Sequence, residues 1–149
     1  MTAPSKPARV VSWIAQIVIV AILGQTLFFK FTGAPETKAL FDVLGAEPMG
    51  RLATASFELL AVVLLLIPRT IVYGAGVSMF VILGAIFAHL TKLGVSIDPA
   101  ALGRPELQPL AGPSLFIMAV VVLALSVAIL LIRRRQLPFV PAGPGRASG

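Results

Sequence analysis

Glu58 sits inside an apolar run, in Phe57-Glu58-Leu59-Leu60-Ala61. If that run crosses a bilayer, an ionised carboxylate there costs a few kcal/mol unless it is neutralised, paired or wetted. Counted from residue 51, it lies about seven residues in, roughly 10 Å along a helix rising about 1.5 Å per residue. Ionisable residues at such depth mark proton pathways or ligand contacts by default. The structural alternative is a neutral or paired carboxyl that fixes helix packing. The residue alone leaves both open.

Four other polar residues are candidates to meet it. Gln25 and Lys30 lie late in the first apolar run, Arg51 opens the second, and His89 closes the third in Ala88-His89-Leu90-Thr91. If successive runs are antiparallel helices, the ends bearing these residues meet. Gln25, Lys30, Arg51, Glu58 and His89 are then expected to line one cavity, as ligand-binding or proton-handling groups. A single His at a membrane interface is more often a hydrogen-bonded packing residue than a ligand, and a single Lys there is an ordinary anchor. The convergence with Glu58 is the stronger signal. Gln16 lies deeper, toward the opposite end, and reads as an isolated structural contact.

Much chemistry is excluded. The chain has no cysteine, which removes disulfides, thiolate metal sites and CxxC relays. With one histidine, neither a bis-histidine haem site nor a multi-His/Cys zinc site can be built within one chain. No metal site is expected. The net charge of +6 does not point to nucleic acid, because basic residues flank apolar runs without forming a basic face interleaved with aromatics.

The elements that position these residues follow from hydropathy. Hydrophobic residues make up 58% of the 149 and charged residues only 12%, against about 25% charged in soluble domains. Mean hydropathy is +0.99. Four apolar runs, about 11–31, 51–67, 70–90 and 113–132, are long enough to cross a core that takes about 20 helical residues. The expected fold is an all-α membrane protein, a four-helix transmembrane bundle over residues 11–135, with a segment 1–10 before it and a disordered Pro/Gly/Ser-rich tail at 136–149. Pro68 leaves almost no loop between the second and third spans, which predicts a tight hairpin. Loops at 32–50 and 91–112 are long, and Pro113 suits the first turn of the last helix. No internal repeat stands out. The first run is longer than a signal-peptide core and is expected to be retained, and no lipidation motif is present.

Orientation follows from Lys and Arg. Lys6, Arg9, Arg69, Arg133, Arg134, Arg135 and Arg146 gather at one end with no acidic residue. Lys30, Lys38, Arg51, Lys92 and Arg104 share the other with Glu36, Asp42, Glu47, Asp98 and Glu106. The first end, bearing both termini, is expected in the cytoplasm. Small residues mark packing faces: Thr54, Glu58 and Ala61 share one, and Gly74, Ser78, Ala85 and His89 another. These faces turn Glu58 and His89 inward, or else make a dimer seam. The last helix, polar only at Ser114 and Ser126, reads as a wall.

An ordered set of short segments resembles the DoxX family of small bacterial membrane proteins: Phe29-Lys30-Phe31-Thr32-Gly33, Phe41-Asp42-Val43-Leu44-Gly45, Gly50-Arg51, Phe57-Glu58-Leu59, and Gly84-Ala85-Ile86-Phe87-Ala88-His89-Leu90-Thr91. The resemblance runs from about residue 25 to 94. It implies a four-helix bundle in a bacterial inner membrane, with Lys30, Glu58 and His89 matching the family's polar pattern and Arg51 matching it less closely. It also implies association with membrane redox systems. The leading expectation is an accessory redox subunit with a redox or other membrane protein partner, and quinone as the possible cofactor. The alternatives are a small proton-coupled transporter, which would call for a homo-oligomer, and a non-catalytic assembly factor.

Overall fold

The computed structural model describes residues 4–136; the expected disordered tail falls almost wholly outside them. Among these residues, four helices are long and apolar enough to cross a membrane. They are α1 (Lys6–Thr32), α3 (Met49–Leu66), α4 (Ile71–Ala88) and α5 (Ser114–Ile132). A shorter helix, α2 (Pro35–Val43), lies between the first two. The protein is an integral membrane helical bundle, and its spans meet lipid with side chains such as Ile14, Phe80, Phe87 and Leu131, all exposed.

Each spanning helix packs against two others, giving the order α1, α3, α4, α5 around the bundle. Ile19, Leu23, Leu65, Ile71, Ala75, Val122 and Ile129 form the buried centre. The turn after α3 bears Pro68, and Thr70 donates its hydroxyl back to the Leu64 carbonyl at 2.8 Å. The α3–α4 hairpin is close: a Cβ added to Gly74 would lie 2.7 Å from the Leu65 nitrogen. At α1's end Gly33 takes φ +67 and donates its N–H to the Phe29 carbonyl, a left-handed cap that suits glycine.

The long loops fold into a cap. In α2, Thr37, Ala39 and Phe41 are buried. Ala39 joins Leu93, Ile97 and Leu107 in a second apolar cluster, separate from the bundle core. The 3-10 segment Pro105–Leu110 packs on α2, and Arg104 pairs with Asp42 between the two loops. Residues 32–50 are thus largely helical rather than a plain loop. Pro35 opens α2 with its φ preset and its missing N–H harmless at a first turn.

At the opposite, basic end Gln16 is not isolated. Its Nε2 donates to the Leu65 carbonyl at 2.8 Å, and its Oε1 accepts from the Ser12 hydroxyl at 2.9 Å. Ser12 Oγ in turn accepts from Arg133 Nε at 2.7 Å. This buried chain ties α1 to the ends of α3 and α5. Gln16→Leu is expected to destabilise the protein by about 1–2 kcal/mol, since the Leu65 carbonyl loses its side-chain donor and Ser12 its acceptor. Unfolding of the detergent-solubilised variant by a denaturing detergent checks this; unchanged stability would contradict it.

Candidate functional site

Glu58 is on the buried face of α3 with Ala55, Ala61 and Leu65. Its position is nine residues past Met49, the first residue of α3, or about 13 Å along the helix. Both carboxylate oxygens have partners on α1: Oε1 accepts from Lys30 Nζ, and Oε2 accepts from the Thr26 hydroxyl at 3.1 Å. Thr26 and Lys30 are one turn apart on one face of α1, so that face presents both donors together. Lys30 reaches Glu58 by its long stem, and its Nζ also lies 5.7 Å from the centre of the Phe41 ring of the cap.

Arg51 adjoins this pair without touching Glu58. Its Nε donates to Glu47 at 2.9 and 3.0 Å, and its Nη1 donates to the Lys30 carbonyl. It thereby closes the exposed carbonyl end of α1 and carries its own carboxylate. Thr54, on the Glu58 face, returns its hydroxyl to the Gly50 carbonyl at 2.7 Å.

His89 stands apart. It is buried where α4 passes into a π-helical turn, His89–Leu93. Its Nδ1 is 2.8 Å from the Gly94 carbonyl, and its ring packs edge-on to Phe116 of α5, centroids 5.7 Å apart. The histidine braces the α4 terminus against α5. Lower on the same face Ser126 donates to Ser78 at 3.1 Å, so α5 contributes a polar contact as well as a wall.

A cavity of about 240 Å³ lies between α1, α5 and the cap. From α1 it takes Gln25, Thr26, Phe29 and Lys30; from α2, Glu36, Thr37 and Leu40. Pro109, Leu110, Leu115 and Met118 complete its apolar wall. Of the five residues expected to share a cavity, Gln25 and Lys30 line this one. Glu58 acts on it through Lys30, while Arg51 and His89 are held elsewhere. The Gln25 amide is exposed and has no side-chain hydrogen-bond partner among the described residues. Thr26, Glu36 and Thr37 were not singled out from the sequence. Thr26 was findable, because it lies four residues before Lys30. Glu36 and Thr37 depend on α2 folding back over the bundle.

The arrangement offers an incoming molecule two kinds of donor, a neutral amide and an ammonium, among walls that are apolar apart from Thr26, Glu36 and Thr37. Both lie on α1, at positions 25 and 30. Such a site suits a flat or compact head group bearing hydrogen-bond acceptors. Comparison with family models, curated proteins and solved structures gives no match.

Proposed function

We propose that the protein is a DoxX-like accessory subunit of a quinone-linked membrane redox system, and that the α1–α5 cavity holds a quinone-class head group. The observation that supports this is the Gln25 amide, without a side-chain partner among the described residues, beside the Lys30 ammonium in a cavity whose other lining is apolar apart from Thr26, Glu36 and Thr37. At about 240 Å³ the cavity falls below the roughly 300–1,000 Å³ usual for whole drug-sized ligands. It therefore takes a ring, with the isoprenoid tail left in lipid. Gln25 donates to one carbonyl oxygen. Lys30 donates to an acceptor and holds negative charge that develops there. Glu58 positions Lys30 from outside the cavity, while Thr26 donates to the other Glu58 oxygen and itself lines the wall. Electrons come from a partner protein, since the side chains supply no electron carrier. The segregation of basic residues supports placing the cap and cavity on the outer face of a bacterial inner membrane, with both termini cytoplasmic.

A second reading is an assembly factor without a ligand. It is favoured by the full engagement of both Glu58 oxygens inside the bundle, which packing alone explains. Gln25→Leu separates the two. Gln25 is exposed and its side chain has no hydrogen bond among the described residues, so the variant is expected to fold. Purified in mild detergent, the native protein is expected to carry quinone detectable by mass spectrometry, or to take up added short-chain ubiquinone. Gln25→Leu is expected to lose about tenfold in affinity, the loss of one good hydrogen bond in an apolar site, with unchanged thermal unfolding. A folded native protein that is empty and takes up no added quinone contradicts the redox reading and leaves the assembly reading standing.

A further inference from the structure

The basic end of the bundle carries charge that no acidic side chain among the described residues answers. All six side-chain carboxylates of the chain (Glu36, Asp42, Glu47, Glu58, Asp98 and Glu106) lie in the cap segments or at the middle of α3. Arg133, just past the end of α5, is 6% exposed, so its guanidinium is not a freely hydrated surface charge. It is also fixed in place. Its Nε donates to Ser12 Oγ, Ser12 is held by Gln16, and Gln16 is anchored on the Leu65 carbonyl. Arg9, exposed on the first turn of α1 and three residues before Ser12, lies on the turn of α1 that Arg133 reaches, and it has the same sign. Burial, and after it the Arg9 charge, hold the Arg133 guanidinium below the ordinary arginine value.

Arg133, held against α1 by this hydrogen-bond chain, and Arg9 one turn away put two like charges at an end with no side-chain carboxylate among the described residues, which favours an anion. We infer that Arg9 and Arg133, at the junction of α1 and α5, form a site for a phosphate group, that of an anionic phospholipid of the adjacent leaflet. Guanidinium groups match phosphate oxygens in geometry and remain charged at every relevant pH. Basic pockets between spanning helices are established sites for acidic lipid head groups. Ser12 takes the Nε of Arg133, and among the described residues no hydrogen bond engages its two terminal amino groups, which can donate to phosphate. The site lies at the opposite end of the bundle from the cavity and does not depend on what that cavity holds.

The full-length protein in mild detergent tests this by thermal unfolding and native mass spectrometry, with phosphatidylglycerol, phosphatidylcholine or inorganic phosphate added. Phosphatidylglycerol is expected to remain bound and to raise the unfolding temperature, whereas phosphatidylcholine does neither. Arg9→Gln, an exposed substitution that leaves the fold intact, is expected to weaken phosphatidylglycerol binding about fivefold. Arg69→Gln, at the same end but on the α3–α4 turn, is expected to leave it unchanged. Protection by millimolar inorganic phosphate equal to that by phosphatidylglycerol would keep the phosphate site but overturn its assignment to lipid. Equal response to both lipids, or equal loss in Arg9→Gln and Arg69→Gln, would overturn the site itself.

Discussion

Glu58→Ala is expected to lower the unfolding temperature of the detergent-solubilised protein by about 10 °C, the shift that corresponds to roughly 3 kcal/mol in a chain of this size. Removing the carboxylate leaves Lys30 charged beside apolar neighbours with only 14% of its side chain exposed. Breaking a buried pair costs about 3–5 kcal/mol because one charge stays behind uncompensated. Lys30 limits the loss to the lower part of that range, because it also lines the cavity and can turn its ammonium that way. Removing both charges is a different experiment. Lys30→Met with Glu58→Leu is expected to be close to the native protein in stability, since apolar replacement of a buried pair is often neutral. A double variant as unstable as the single one would show that the residues matter by shape rather than by charge.

The second large effect is expected at Gly74. An added Cβ there would meet the Leu65 nitrogen at 2.7 Å and the Leu64 carbonyl carbon at 2.9 Å, both backbone atoms that cannot rotate away. Gly74→Ala must therefore push α4 off α3, at a cost of about 1–3 kcal/mol or more. Close backbone approach is what holds helices together in lipid, where burial of apolar surface gives no preference for helix over lipid. Gly76, on the same helix, has open space at its Cβ. Gly76→Ala is expected to be neutral or stabilising by up to about 1 kcal/mol, through helix propensity alone. Thermal unfolding of the pair checks the contrast; equal behaviour would contradict the close hairpin.

The four spans and the Pro68 hairpin were legible because a bilayer imposes length and hydropathy on its helices, and little else in a sequence has that signature. The boundary of α1 was less so: the helix begins at Lys6, because polar residues extend a helix beyond the hydrocarbon without interrupting it. Helix α2 was missed for the reverse reason. Its nine residues are too short for a periodic signal, and they are stabilised by packing on the Pro105–Leu110 segment, far away in sequence. Glu58 was legible as a polar residue out of place, and Lys30 as one of its possible companions. What could not be read was which companion takes it. Arg51 lies nearly two turns before Glu58 on α3, yet Glu47 claims its Nε. His89 points to Gly94 because α4 widens into a π-helical turn there. The Ser12–Gln16–Arg133 chain joins residues up to 121 positions apart, and only the i, i+4 relation of Ser12 and Gln16 foreshadowed it.

We propose the space between α1, α5 and the cap as the binding site of a quinone-class head group. The most direct measurement is labelling of the native protein in membranes with a photoreactive quinone, followed by peptide mapping. Label confined to residues 25–30 of α1 and 109–118 before and within α5, and competed by unlabelled quinone, is the predicted result. Label that is spread over the lipid-facing Phe57 and Phe80 of α3 and α4, or that unlabelled quinone fails to compete, would contradict it.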